Sequence, residues 1–164
     1  MKKILKIAAL SLLSALLVVA SIVAIEYLGG QPMGLFAGSR PDGLGFANGR
    51  FKPPSWKPNT VSSTVAKDEQ HYIAPLAFSG DATSAWKKLV TLVKSNSRAN
   101  VISEKNDYLY AEFKTVGLGF VDDVEFALDA NASVIHARSG SRLGVRDFNV
   151  NRKRIEGIRT LFAK

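Results

Sequence analysis

Residues 120–141, FVDDVEFALDANASVIHARSGS, decide the fold. Apolar and polar residues alternate on either side of a polar break at Asp129–Ala132, the pattern of two strands joined in a hairpin. Asn tolerates the positive φ of a tight turn, so Ala130-Asn131 reads as a two-residue connection with Asp129 facing Ala132. In that register Phe126 faces Ile135, Val124 faces Ala137 and Asp122 faces Ser139, while on the other side Glu125 faces His136 and Asp123 faces Arg138. Apolar meets apolar and acid meets base, and a slip of one residue would break both matches.

Working outward, residues 108–114 alternate, with Tyr108, Tyr110, Glu112 and Lys114 opposite Leu109, Ala111 and Phe113. The loop Val116–Gly119 joins this strand to the hairpin. A short strand, Val101–Glu104, precedes it across the polar turn Lys105-Asn106-Asp107. Upstream, Ala82, Ala85, Trp86, Leu89, Val90 and Val93 recur at helical spacing, with Asp81 as N-cap. Residues 71–78 read as a strand in which Pro75 implies an edge or a break. Residues 149–162 form a last helix with Val150, Ile155, Ile158, Leu161 and Phe162 toward the core. The order β-α-β-β-β-β-α predicts an α+β fold: one antiparallel sheet with two helices on one face.

The chain holds 22% charged and 46% apolar residues, which argues against disorder. Its N-terminus stands apart. From Ile7 to Ile25 no residue is charged, and only Ser11, Ser14 and Ser21 are polar. About 20 apolar residues suffice to cross a bilayer. An uncleaved anchor fits this length. A signal sequence cut near Ala20 or Ala24 is the other reading. Lys2, Lys3 and Lys6 would stay cytoplasmic. The predicted division is 1–28, membrane anchor or signal sequence; 29–66, a tether rich in Gly and Pro; and 67–164, the globular domain.

The chain has no cysteine, so it makes no disulfide, thiolate metal site or lipoprotein anchor. His71 and His136 lack ligand spacing, and there is no nucleophile elbow or phosphate-cradling glycine loop. Neither metal nor cofactor is expected. Asp122 lies on the apolar side of its strand and needs partners. Ser139, Ser141, Arg142, Asn151 and Arg152 are the candidates for a polar pocket around it. Asp123–Arg138 and Glu125–His136 read as ion pairs across a solvated face, contributing roughly 0.2–1 kcal/mol each. Between Arg138 and Lys164 there are eight basic and two acidic residues, a stretch that suits an anionic partner or a solvated helix face.

Residues 58–63 (PNTVSS), 120–126 (FVDDVEF), 138–144 (RSGSRLG), Asp147 and 151–156 (NRKRIE) resemble the domain-of-unknown-function 1499 family, from about Arg40 to the C-terminus. The family pattern is similar to Cys-Pro-x-x-Pro-Asn-Cys-Val-Ser-Ser, and its cysteine positions fall on Pro54 and Thr60 here. Joint loss is what a disulfide would predict. The resemblance implies no established activity. It implies that Asp122, Asp123, Glu125, Arg138, Ser139, Ser141, Arg142, Asn151 and Arg154 occupy the family's polar positions, in proteins often carrying an N-terminal membrane segment or export signal.

The expected function is a non-enzymatic binding or scaffold domain, anchored in the inner (cytoplasmic) membrane through residues 4–28 and facing the periplasm. Its partner would be an anionic lipid, a glycan or an acidic protein, and nucleic acid is not expected in that compartment. The alternative is an envelope hydrolase or transferase using Asp122 with Arg138 and Arg142 around an acidic substrate.

Overall fold

The computed structural model describes residues 2–28, 36–115 and 118–164, with side chains of the first helix described from 6 to 21. The start of the expected tether (29–35), the first half of the Val116–Gly119 loop, the side chains of Lys2 and Lys3 and the second cleavage site lie outside the described residues. Helix α1 spans Lys2–Leu28. Among the described residues no helix is long and apolar enough to cross a membrane.

Two short strands, β1 (Phe46–Ala47) and β2 (Arg50–Phe51), pair with each other. Then come β3 (Thr60–Ser62), β4 (Leu76–Ala77), α2 (Ala82–Lys94), β5 (Ala99–Glu104), β6 (Tyr108–Lys114), β7 (Val121–Asp129), β8 (Val134–Ser141) and α3 (Val150–Phe162). The main sheet runs β3-β8-β7-β6-β5, antiparallel at each pairing, with β4 added beside the other end of β8. The expected α+β class and the antiparallel sheet hold.

Both helices cover one face. Leu89 and Val93 of α2 and Ile155, Ile158 and Phe162 of α3 pack on Leu109, Ala111, Val124, Phe126, Ile135 and Ala137. Burying one such Leu or Ile contributes roughly 1.5–3 kcal/mol, so these stripes hold the two layers together. Asp81 caps α2 as expected, accepting from the Ser84 N–H at 2.7 Å.

Four expectations need correction. The hairpin register is Asp129↔Val134, Phe126↔Ala137, Val124↔Ser139 and Asp122↔Ser141, two residues from the predicted one. A two-residue turn would force Ala130 to positive φ. The chain instead uses residues 130–133, with Ser133 at φ 54 and the Asp129 carboxylate accepting from Ala132 N–H at 3.0 Å. A slip of two keeps every side chain on its predicted face but changes every partner.

Residues 71–78 do not form one strand. Only Leu76–Ala77 pairs with β8, while Tyr72 bridges Ser62, because Pro75 interrupts the ladder between them. In α3, Val150 and Leu161 point outward at 38% and 51% exposure, and buried Asn151 takes the inward position. The inward stripe is 151, 155, 158 and 162.

The described part of the expected tether is built into the domain. β3 forms an edge of the sheet, and residues 37–52 roof the face away from the helices, with Ala37 and Phe51 buried. Asn48 (φ 52) and Gly49 (φ 75) supply the two positive-φ residues that a tight hairpin needs.

Candidate functional site

The polar residues predicted from sequence divide between the two faces of the sheet. Asp122 lies on the helix side, opposite Phe113 of β6. Its partner is Arg154 of α3, which is ion-paired with it and holds its guanidinium 5.0 Å above the Phe113 ring. The same guanidinium donates to Ser139 Oγ at 2.9 Å and Asn151 Oδ1 at 2.7 Å. The Asn151 amide lies 2.8 Å from Ser141 Oγ, 2.9 Å from Asp147 Oδ2 and 3.0 Å from the Asn59 carbonyl. The expected polar pocket is thus a closed knot that pins α3 to β7, β8 and the Asn59 loop. Arg142 is not in it. Residue 141 faces the helices, so residue 142 must face the other way. Arg152 is also elsewhere, donating to the carbonyls of Tyr72 and Gln70.

On the roofed face, Asp123 receives Arg142 Nε at 3.0 Å and the Tyr110 hydroxyl at 2.6 Å. Arg142 also pairs with Glu112, which takes Arg40 at 2.7 Å. Beside this cluster Glu125 accepts from Arg138 at 3.0 Å, from Tyr108 at 2.8 Å and from the Gly45 N–H at 2.6 Å. Glu125 therefore pairs with Arg138, and Asp123 with Arg142, rather than with the partners expected from sequence.

Nor is this face solvated. Asp123, Glu125 and Arg138 are buried under the roof, and breaking such a pair costs about 3–5 kcal/mol instead of the surface value. Burial pushes the Glu112 carboxyl up, but Arg142 and Arg40 outweigh it and hold it below the usual carboxylate range. Burial, helped by Glu125 and by Asp123 respectively, pushes the Tyr108 and Tyr110 hydroxyls well above their ordinary value. Both stay protonated donors, as their bonds require.

His136 shares this roof. Its ring stacks on Phe46 at 5.5 Å, and Nδ1 lies 3.1 Å from Ser63 Oγ. Ser63 Oγ also accepts from the Ala137 N–H at 3.0 Å, which leaves its own proton free for Nδ1 in the tautomer whose Nδ1 is an acceptor. Burial lowers the His136 pKa, against a smaller opposing pull from Asp129.

The three carboxylates are thus neutralised by arginines on both faces of the sheet, Asp122 among the helices and Asp123 and Glu125 under the roof. Among the described residues no buried side-chain polar atom lacks a partner, and no cluster of His and acidic residues has metal-binding geometry. Sequence reasoning missed Tyr108, Tyr110, Glu112, Asn59 and Asp147. The first three were legible, because they share one face of β6 by alternation.

The cavity with the strongest charge bias lies beside the inner knot. A groove of about 770 Å³ runs between α3 and the adjoining ends of β5 and β6, lined by Arg98, Lys114, Lys153 and Arg154 and by no carboxylate. Arg98 and Lys153 have no acidic partner among the described residues. Gly157 leaves the floor open, with no atom within 4 Å of where its Cβ would stand.

An antiparallel sheet with two helices on one face, a roof on the other and buried ion pairs on both defines a small α+β domain. Residues 51–162 match the family described as Protein of unknown function (DUF1499), and the chain belongs to it. No curated protein and no solved structure matches the chain.

Proposed function

We propose that the chain is a single-pass protein of the inner (cytoplasmic) membrane, with its globular domain on the periplasmic side acting as a non-enzymatic binding or scaffold domain for an anionic ligand. The anchor is supported by the uncharged run Ile7–Ile25 behind Lys2, Lys3 and Lys6, and by the described leucines of α1, which are all more than half exposed. The ligand reading rests on one observation: the groove beside α3 carries four cationic side chains and no acid, while the carboxylates of Asp122, Asp123 and Glu125 are each paired with an arginine. An anion entering it meets the donors of Arg98 and Lys153 without displacing a carboxylate. Asp122 is separated from Arg138 and Arg142 by the thickness of the sheet, so the constellation that would serve a hydrolase or transferase does not converge.

The full chain in neutral phosphatidylcholine nanodiscs, titrated with inorganic phosphate and with a sulfated oligosaccharide, tests this reading. Arg98→Ala and Lys153→Ala each weaken binding about tenfold, as loss of a charge-assisted hydrogen bond does, and salt weakens it further. Binding that survived both substitutions would refute the groove.

A further inference from the structure

We infer that the end of the domain carrying Phe148 rests on the surface of the bilayer that holds α1. This rests on the anchored reading above. At that end Phe36, Leu118, Leu143, Val145, Phe148 and Val150 are 38–86% exposed, Phe148 the most. A hollow of about 300 Å³, its exposed surface mostly apolar, opens among Leu118, Leu143, Phe148 and Val150. Side chains of this size, gathered at one end, mark a contact surface rather than scattered exposure.

Where the chain comes from identifies the occupant. Phe36 is the first described residue after α1, and its ring packs on Phe120 at 5.2 Å, on the rim of the hollow. Eight residue steps separate Leu28 from Phe36, a reach of at most about 29 Å. A bilayer holding α1 therefore lies within that distance of the apolar end. The opposite end of the sheet, at the 130–133 turn, is farther from the tether by the length of β7 and β8.

Charge points the same way. Arg146 lines the hollow, and the basic groove with Arg98 and Lys153 adjoins it through the shared residues Thr115 and Val150. Of the two acids lining the hollow, Asp122 is buried against Arg154 and Asp147 is turned inward to Asn151. Apolar side chains at the tip with cations behind them match an interface of acyl chains under anionic headgroups.

The backbone is also committed to this display. Phe148 sits at φ 53, in the left-handed region that phenylalanine seldom adopts, and holds its ring out at 86% exposure.

The chain has no cysteine, so single cysteines report cleanly. Full-length variants Phe148→Cys, Val145→Cys, Asn131→Cys and Ser14→Cys, labelled with an environment-sensitive fluorophore, are reconstituted in phosphatidylcholine vesicles with and without phosphatidylglycerol. Circular dichroism confirms the fold of each. The labels at 148 and 145 are expected to shift to the blue, to lose most of their emission to lipids brominated on the acyl chain and to resist iodide, most strongly with phosphatidylglycerol. The label at 131 stays water-exposed. Quenching at 14 without quenching at 148 and 145 overturns the docking and leaves the anchor. No quenching at 14 overturns the anchor itself. Protection of 148 from iodide without quenching by brominated lipid means that protein covers the patch, and overturns the proposal. Equal quenching at 131 and 148 overturns it too, since no one end would then be docked.

Discussion

Asp122 and Asp123 are neighbours in β7, yet their carboxylates meet different arginines on opposite faces of the sheet, Arg154 among the helices and Arg142 under the roof. Both are buried, at 2% and 1% exposure, so neither has water to fall back on. Asp122→Ala should lower stability by about 3–5 kcal/mol, because it leaves the largely buried Arg154 guanidinium without a carboxylate, and Asp123→Ala by less, because Arg142 keeps Glu112. Urea titration of the full chain measures this. Replacing both members of the inner pair, Asp122→Leu with Arg154→Met, should recover much of the loss. A loss below about 1 kcal/mol for either single variant would place that pair among solvated surface pairs and refute its assigned role.

Gly140 faces Thr60 where β3 joins β8, and a Cβ there would stand 2.7 Å from Thr60 Oγ1 and 3.2 Å from Cγ2. Gly140→Ala should cost about 1–3 kcal/mol by overpacking. Thr60→Ala in the same chain removes both offending atoms. The double-mutant cycle should show a favourable coupling of about 0.5–3 kcal/mol. Strictly additive losses would show that the glycine is needed for something other than this approach.

How much of this was legible depended on which physical signal was local. Alternation is local, so β6 appears in the sequence with its bounds, and each hairpin residue from 122 to 139 lands on its predicted face. The partners were lost because turn chemistry sets the register, and a four-residue turn preserves the alternation that a two-residue turn would also satisfy. Arg142 was sent to the wrong face by proximity to Ser141, although parity along the strand already excluded it. The roof has neither period, since residues 37–45 follow the sheet's surface with little repeating backbone of their own. Its one readable signal was Asn48-Gly49 between Phe46–Ala47 and Arg50–Phe51. Without the roof, the charges on β7 and β8 looked solvated. The basic groove was illegible for a different reason: Arg98, Lys114 and Lys153 are far apart in sequence, and only the packing of α3 beside β5 and β6 brings them together.

His136 should make stability pH-dependent. Its pKa in the fold is lowered, chiefly by burial, while the unfolded side chain keeps the ordinary value near 6.5. Below that ordinary value the unfolded state takes up the proton first, so stability falls as pH drops from about 6.5 toward the lowered folded value, and the loss levels off beneath it. His136→Gln leaves Ser63 an acceptor and removes the titration. Urea midpoints collected from about pH 7.5 down to pH 5 should fall more steeply for the parent than for the variant. Parallel curves would mean that His136 is not held neutral by its burial.

Phe148 offers a separation between stability and placement. A phenylalanine at φ 53 is disfavoured by contact between Cβ and the backbone, and this ring, 86% exposed, recovers little by packing. Asn tolerates the left-handed region through its short polar side chain. Phe148→Asn should therefore raise the stability of the full chain in detergent by about 1 kcal/mol, read as a higher urea midpoint at unchanged slope. In vesicles the same substitution should weaken contact between the domain and the bilayer, seen as greater iodide access to a label at Val145→Cys. A protein that retains a strained, exposed aromatic where a polar residue would be more stable is trading stability for a surface, and a gain in stability with no change in iodide access would break that link.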